Sequence, residues 1–288
     1  MLSSVMVAFH SLVLLSCAEG PESLWQPLRD LDLRTARRLE WSASRDGQPV
    51  VWLPDGSRGL RMTAPIRDRV DPEVADSLLV HWKKCTLHLP EGPVPSAEAV
   101  RRRQLDPALA FLRAEFPERT VLLEFGGGAD RPDSIWARCG DRIGWCSAGI
   151  LQAMQVSQEA LRDPRLFAAG HAEVECVQLS VTGADGDRVV ADAERRAGVW
   201  AWRVRPPGDL APAPFAEAVL GARAAGFRHG ERVQGKAAAV LLVRGAGFEE
   251  RAELHPSAGR TWVAAQAHRD VDVAVELPPP LPGLLPAR

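Results

Sequence analysis

The stretch "EVECVQLSVTGADGDRVVADAERRAGVWAWRVR", residues 173–205, is the part of the chain whose pattern decides the fold. Polar and apolar side chains alternate in three runs, 173–183, 188–196 and 198–205, and glycines stand in the turns between them. Alternation with a period of two is typical of strands that bury one face. The stretch therefore predicts a meander of three antiparallel strands.

Further strand patterns follow it. They are predicted at 236–245, 249–255, 260–268 and 270–278. The last of these has valines at alternate positions, as expected for a strand with one face in the core. The C-terminal half is therefore predicted to form mainly an antiparallel sheet.

Helix signals lie mainly before this region. Asp71 as N-cap and Pro72 at the first helical position predict an amphipathic helix from Pro72 to Cys85. A second helix is predicted from Ser96 through Phe116, bent at Asp106-Pro107, and a strand at 119–125 follows it.

Two shorter helices are then expected, at 147–162 and before Gly226. Helices first and antiparallel strands later predict an α+β fold. We expect one domain over residues 18–277, with a possible subdivision near residue 170. A proline-rich tail at 278–288 follows it, and no internal repeat is evident in the sequence.

Composition limits the classes of partner. With 288 residues, 46% of them hydrophobic, the chain is long and apolar enough to bury a real core. The 35 basic and 37 acidic residues give a net charge of -2. Because no single sign of charge dominates, a nucleic-acid partner is not expected.

The N-terminal residues contain a short apolar run that is followed by a cysteine. An apolar run from Val5 to Leu15 is too short to span a bilayer and ends at Ser16-Cys17. Leu14-Leu15-Ser16-Cys17 resembles the lipobox of bacterial lipoproteins, over residues 1–17 only. The resemblance implies a signal peptide, a lipid on Cys17 and an anchor in the cell envelope. A soluble secreted form and a cytosolic first strand or helix are the alternatives.

The remaining cysteines are Cys85, Cys139, Cys146 and Cys176. In an oxidising compartment, an even number of cysteines permits two disulfides. Cys139 and Cys146 flank the turn of a hairpin predicted over 134–146, so we expect them to pair. Cys85 would then pair with Cys176, or both would stay buried as thiols. The alternative is that all four cysteines are small apolar core residues.

Cys146 is also a candidate nucleophile, because a helix start after it would lower the pKa of the thiol. "GWCSAGILQAM" at 144–154 is similar to the nucleophile turn of papain-like cell-wall endopeptidases, and "PPGDLAP" at 206–212 is similar to a second motif of that family. The resemblance implies a cysteine hydrolase with Cys146 as nucleophile. His229 is the only histidine near the second motif and the candidate base.

The sequence also contains residue types that could bind a metal ion or a sugar. Two sets of side chains have types that bind cations: Glu124, Asp130 and Asp133 around three glycines, and His81, Cys85 and His88 at helical spacing. In both cases a structural role fits better, and we predict no metal and no cofactor. Trp200 and Trp202 share a strand face that is expected to be buried.

The function predicted from the sequence is a binding or structural role as a bacterial envelope lipoprotein. Its partners would be the membrane, through the lipid anchor, and possibly an envelope protein. A cysteine- or metal-dependent hydrolase and a cytosolic partner-binding or antitoxin-like protein are the alternatives. An enzymatic activity is less expected than its absence.

Overall fold

A computed structural model describes residues 23–56, 59–90, 95–228, 233–257, 262–266, 269 and 272–285. The signal peptide predicted over residues 1–17, with Cys17, lies outside the described residues. Strands hold 45% of the residues and helices 17%, in two antiparallel sheets. The α+β prediction is therefore wrong, and the fold is mainly β.

The first sheet has ten strands in the described residues, in the order β1-β6-β10-β9-β8-β7-β2-β3-β4-β5. All pairs are antiparallel. The bounds are β1 Ser23–Trp25, β2 Arg38–Ser42, β3 Val50–Pro54, β4 Leu60–Ala64, β5 Asp68–Arg69, β6 Leu87–Leu89, β7 Ala110–Glu115, β8 Thr120–Gly128, β9 Ser134–Cys139 and β10 Arg142–Ser147.

The second sheet has eight described strands, in the order β13-β12-β11-β15-β16-β17-β18-β14, again all antiparallel. The bounds are β11 Val174–Gly183, β12 Gly186–Arg196, β13 Val199–Val204, β14 Arg223–Phe227, β15 Ala239–Gly245, β16 Phe248–Pro256, β17 Trp262–Ala265 and β18 Val273–Glu276. The meander predicted at 173–205 is confirmed as β11, β12 and β13.

Four α-helices lie in the described part of the chain: α1 Pro72–Lys83, α2 Ala97–Arg102, α3 Gly149–Met154 and α4 Pro212–Leu220. The helix predicted after Asp71 is confirmed. The Asp71 side chain accepts hydrogen bonds from the backbone N–H groups of Glu73 and Val74, as an N-cap does. Leu78 and Trp82 on one face of α1 are buried.

The helix predicted from Ser96 to Phe116 is mostly wrong. Only its first turns form α2, and the chain then turns at Asp106-Pro107 into strand β7. Along β7, Ala110, Leu112 and Ala114 are buried and the residues between them are not. This period of two follows the sheet, because β7 lies between β2 and β8 and one of its faces meets the core.

The other two helices are shorter than predicted. Helix α3 begins at Gly149, because Ser147 is still the last residue of β10. Helix α4 ends at Leu220 with Gly221 as its C-cap, and Gly226 lies in strand β14. Pairing with β18 holds residues 223–227 in extended form, where the sequence alone favoured helix.

Apart from β1 and β5 at the two edges of the first sheet, the two sheets share one topology. In each, three strands form a meander, a helix and one strand follow, and four further strands form a second meander. The strand after the helix pairs with the last strand, and the first strand pairs with the first of the final four. The order β6-β10-β9-β8-β7-β2-β3-β4 thus matches β14-β18-β17-β16-β15-β11-β12-β13, with α1 matching α4. The chain is a tandem pair of one eight-strand unit.

Each unit has its own apolar core, one within residues 28–161 and one within 166–281. The first contains three fully buried indoles. The Trp41 ring centroid lies 4.7 Å from that of Trp52 and 5.0 Å from that of Trp82, both in edge-on geometry. Edge-to-face contacts of this kind stabilise aromatic cores beyond the area that they bury.

The segment at residues 161–168, called the connecting segment below, joins the two units. The backbone N–H of Asp163 donates to the carbonyl of Arg69 at 3.1 Å. On the other side, the N–H of Ala224 donates to the carbonyl of Pro164 at 2.7 Å. The segment therefore adds backbone pairing to both sheets.

Buried charges also meet at this junction. Arg162 Nε lies 2.6 Å from Asp68 Oδ2, and both side chains are fully buried. Arg269 Nε lies 3.4 Å from Asp68 Oδ1, and Arg69 Nη1 lies 3.4 Å from Glu250 Oε2. Burial lowers the pKa of Arg269 to about 10. These ion pairs connect the first sheet to residues of the second.

The proline-rich tail contributes to the second core. The beginning of the proline-rich tail packs on the second unit, because Leu281 in a 3-10 helix at Leu281–Leu284 is buried in that core.

Within the described residues, none of the helices has both the length and the apolar character needed to cross a membrane.

Candidate binding surface

Four side chains form a row across the first sheet. The strand register aligns Trp136 of β9 with Trp145 of β10, Trp145 with His88 of β6, and His88 with Leu24 of β1. Directly opposite residues on neighbouring antiparallel strands project from the same face. The four residues, called the cross-strand row below, therefore lie side by side on one face.

This face is the one that turns away from the first core. The neighbours of the two indoles, Ile135 and Ala137 in β9 and Cys146 in β10, point the other way and are buried in that core. Trp136, Trp145 and His88 are half-buried, and Leu24 is 66% exposed. The row is therefore partly open to solvent.

The rings of the row are stacked and covered by cations. The His88 ring lies parallel to the Trp145 ring, with centroids 3.7 Å apart. The guanidinium of Arg131 lies 4.4 Å from the centroid of Trp145, and that of Arg103 lies 3.8 Å from the centroid of Trp136. An arginine stacked on an indole directs its edge N–H groups away from the centre of the ring.

Arg103 is held in place by its backbone. The N–H of Gly127 donates to the carbonyl of Arg103 at 2.9 Å, and Leu105 beside it is fully buried. Nη1 of Arg103 has no hydrogen-bond partner among the described residues. The row is thus bounded by the Arg103–Leu105 segment on the β8 side, and its other end is the exposed Leu24 on the edge strand.

The acidic side chains that have cation-binding chemistry lie in two different settings. Glu124 receives two hydrogen bonds from Arg138, at 2.7 and 2.8 Å, across β8 and β9. Asp130 and Asp133 are exposed in the loop after β8. Within the described residues, no three His, Cys, Asp or Glu side chains are grouped as a metal ion requires.

The candidate nucleophile Cys146 is buried on the core side of β10 and 1% exposed. It lines a cavity of about 290 Å³ together with Cys85, His81, His88 and the start of α3. The hydrogen bond with Cys85 and burial both raise the pKa of Cys146 far above that of a free thiol. A cysteine hydrolase needs the opposite, a thiol activated by a lowered pKa, so this position does not favour Cys146 as the nucleophile of a hydrolase.

Two histidines line the same cavity as Cys146. His88 stacks on Trp145, and Trp145 projects from the face opposite to Cys146. His81 is exposed on the last turn of α1. His229, the predicted base, lies outside the described residues.

Cys139 and Cys146 are free thiols in this structure, as are Cys85 and Cys176. The predicted hairpin is confirmed, but its register pairs Cys139 with Arg142 and Cys146 with Ile135. Four residues along a strand separate Ile135 from Cys139, which corresponds to about 13 Å. A disulfide needs Cα atoms within about 7 Å, so this geometry does not support the Cys139–Cys146 bond.

Like Cys85, Cys176 is a buried free thiol, which is one of the two alternatives predicted for these residues. It sits in the second sheet, where its thiol donates to Asp192 Oδ1 at 3.4 Å. Burial, with the charge of Asp192, raises the pKa of Cys176 to about 11. A Cys85–Cys176 pair would have to join the two units, and Cys85 lies in the core of the first.

Trp200 and Trp202 are half-buried on the edge strand β13. Trp202 Nε1 donates to the carbonyl of Leu210 at 3.2 Å, and its ring lies 5.3 Å from that of Phe215 in α4. Both indoles pack against the second core, so the core role predicted for this face holds in part.

Sequence reasoning missed the cross-strand row, although Trp136 and Trp145 both stand in the hairpin that it predicted. Pairing them across a turn at Gly140-Asp141 would have placed them opposite each other. The contribution of His88 and Leu24 depends on the pairing of β6 with β10 and β1, for which the sequence has no local signal. Comparison with protein-family models, curated proteins and solved structures finds no match to this chain.

Proposed function

We propose that this protein works by binding, and that the cross-strand row with Arg103 and Arg131 is the surface that an acidic segment of a partner protein contacts. The observation that carries the proposal is the stacking of two arginines on two half-buried indoles. Tryptophan and arginine are the residue types most enriched at the centres of protein interfaces.

The chemistry of the surface indicates an acidic partner. Two guanidinium groups lie over the row, and Glu124 in the same sheet is bonded to Arg138. A stacked guanidinium binds a carboxylate through its edge N–H groups, and the indole beneath it supplies apolar contact. A partner segment that has a carboxylate beside an apolar or aromatic residue would contact both the guanidinium and the indole.

A cross-linking experiment tests the binding surface. A photoreactive residue at position 24 is expected to cross-link a partner protein in the cells that make this chain. The same residue at Val199, which is 68% exposed on the second sheet, serves as the control. Equal cross-linking at both positions would contradict the proposal.

Binding measurements with the cross-linked partner then test the arginines and indoles. Trp145→Ala is expected to weaken binding by roughly 30-fold, the effect of a hot-spot residue. Arg103→Gln should weaken it and reduce its dependence on salt, because one cation is lost. Trp200→Ala, which removes a half-buried indole from the other sheet, should leave affinity unchanged. Thermal unfolding of each variant shows whether it is folded.

The lipid anchor predicted at Cys17 completes the proposal, with the binding units held at the envelope membrane. Support comes from the sequence of residues 14–17 alone. Metabolic labelling with a fatty acid is expected to mark the wild-type chain and not Cys17→Ser. Label that persists in the variant, or is absent from the wild-type chain, would remove the anchor and leave the binding proposal standing.

A further inference from the structure

Cys85 and Cys146 form a pair of neighbouring thiols in the first unit. Trp145 is aligned with His88, so Cys146 projects with Leu87 from the opposite, core-facing side of β10 and β6. Cys85, just before β6, is buried in the same core. The two residues also line one cavity.

The pair is reachable from outside. Both cysteines line the 290 Å³ cavity between the last turn of α1 and the start of α3. Cys85 is 7% exposed and Cys146 is 1% exposed. A small reagent that enters the cavity therefore meets Cys85 first.

We infer that Cys85 and Cys146 are a disulfide-forming site, and that an oxidising thiol–disulfide reagent joins them. Cys85 attacks a sulfur of the external disulfide, and the first thiol of the reagent leaves. Cys146 then attacks the Cys85 sulfur of the mixed disulfide, and the second thiol leaves. The cysteine pair loses two electrons and two protons, and the external disulfide is reduced to two thiols.

The bond would close the chain between residues 85 and 146. That loop contains β7, β8, β9 and most of β10, the long meander of the first unit. A cross-link that closes a loop of this length restricts the unfolded chain and raises the melting temperature. The inference is independent of the binding proposal and of the lipid anchor, because neither Cys85 nor Cys146 belongs to the cross-strand row.

Peptide mapping tests the inference on the full wild-type chain. The reduced protein is incubated with oxidised glutathione, free thiols are blocked with N-ethylmaleimide, and the chain is digested without reduction. Mass spectrometry is expected to find the Cys85 peptide joined to the Cys146 peptide, with Cys139 and Cys176 blocked. No linked peptide, or a link from Cys85 to Cys139 instead, would overturn the inference.

Thermal unfolding provides the second measurement. Oxidation is expected to raise the melting temperature by about 10 °C. Cys85→Ser and Cys146→Ser should abolish this rise, while Cys139→Ser and Cys176→Ser, which remove thiols outside the pair, should keep it. A rise that survives Cys85→Ser would assign the effect to another pair and overturn the inference.

Discussion

The structure gives Gly126 a role that the sequence does not predict. In the sequence, Gly126, Gly127 and Gly128 favour a flexible loop. In the structure, a Cβ on Gly126 would lie 2.1 Å from the carbonyl oxygen of Arg103. The missing side chain lets the Arg103–Leu105 segment approach β8, and this approach holds Arg103 over Trp136.

Substitution at this position should be costly. We expect Gly126→Ala to lower the free energy of unfolding by about 1–3 kcal/mol, because backbone must move to admit the methyl group. Gly128→Ala is the matched control, since an added Cβ there meets no atom within 4 Å. Urea denaturation of both variants measures the difference. Equal stability of the two variants would show that the approach of Arg103 is not constrained.

Among the helices and strands, the predictions that the structure confirms depend on residues that are close together in sequence. Helix α1 forms where a capping Asp, a proline at the first helical position and apolar residues at helical spacing agree. The hairpin of β9 and β10 forms around its Gly140-Asp141 turn. Each of these elements is specified by residues that are close in sequence.

The helix predictions that were wrong concern short apolar runs that form strands in the structure. Residues 110–115, "AFLRAE", consist mostly of good helix formers, and a run of six fits both a helix and a strand. Pairing with β2 and β8 decides for the strand, because the partners supply backbone hydrogen bonds and a core for one face. Residues 223–227 changed from helix to strand for the same reason.

The whole molecule is a tandem pair whose halves meet through buried charges. Asp68 lies between Arg162 of the connecting segment and Arg269 of the second unit, while Arg69 reaches Glu250. Burying these groups is costly, and only their mutual pairing compensates for it. Removal of one member therefore leaves an uncompensated charge at the junction of the units.

Asp68→Asn tests this coupling while keeping the shape of the side chain. We expect a loss of about 3–5 kcal/mol in the free energy of unfolding, because Arg162 and Arg269 lose their shared carboxylate. Glu98→Gln breaks the Arg102–Glu98 pair, whose side chains are both 75% exposed, and should cost less than about 0.5 kcal/mol. Denaturant unfolding compares the variants. A loss as small as that of Glu98→Gln would mean that the buried charges contribute little to the junction.

The sequence by itself determined the meander at 173–205, helix α1 and the hairpin of β9 and β10, because turns, caps and alternation act between near neighbours. Only the tertiary structure decided that the chain is a tandem pair, and that Leu24, His88, Trp136 and Trp145 share one row. Both features depend on which distant strands pair and in which register. Register follows from packing a whole sheet against its core, and no local pattern of residues specifies it.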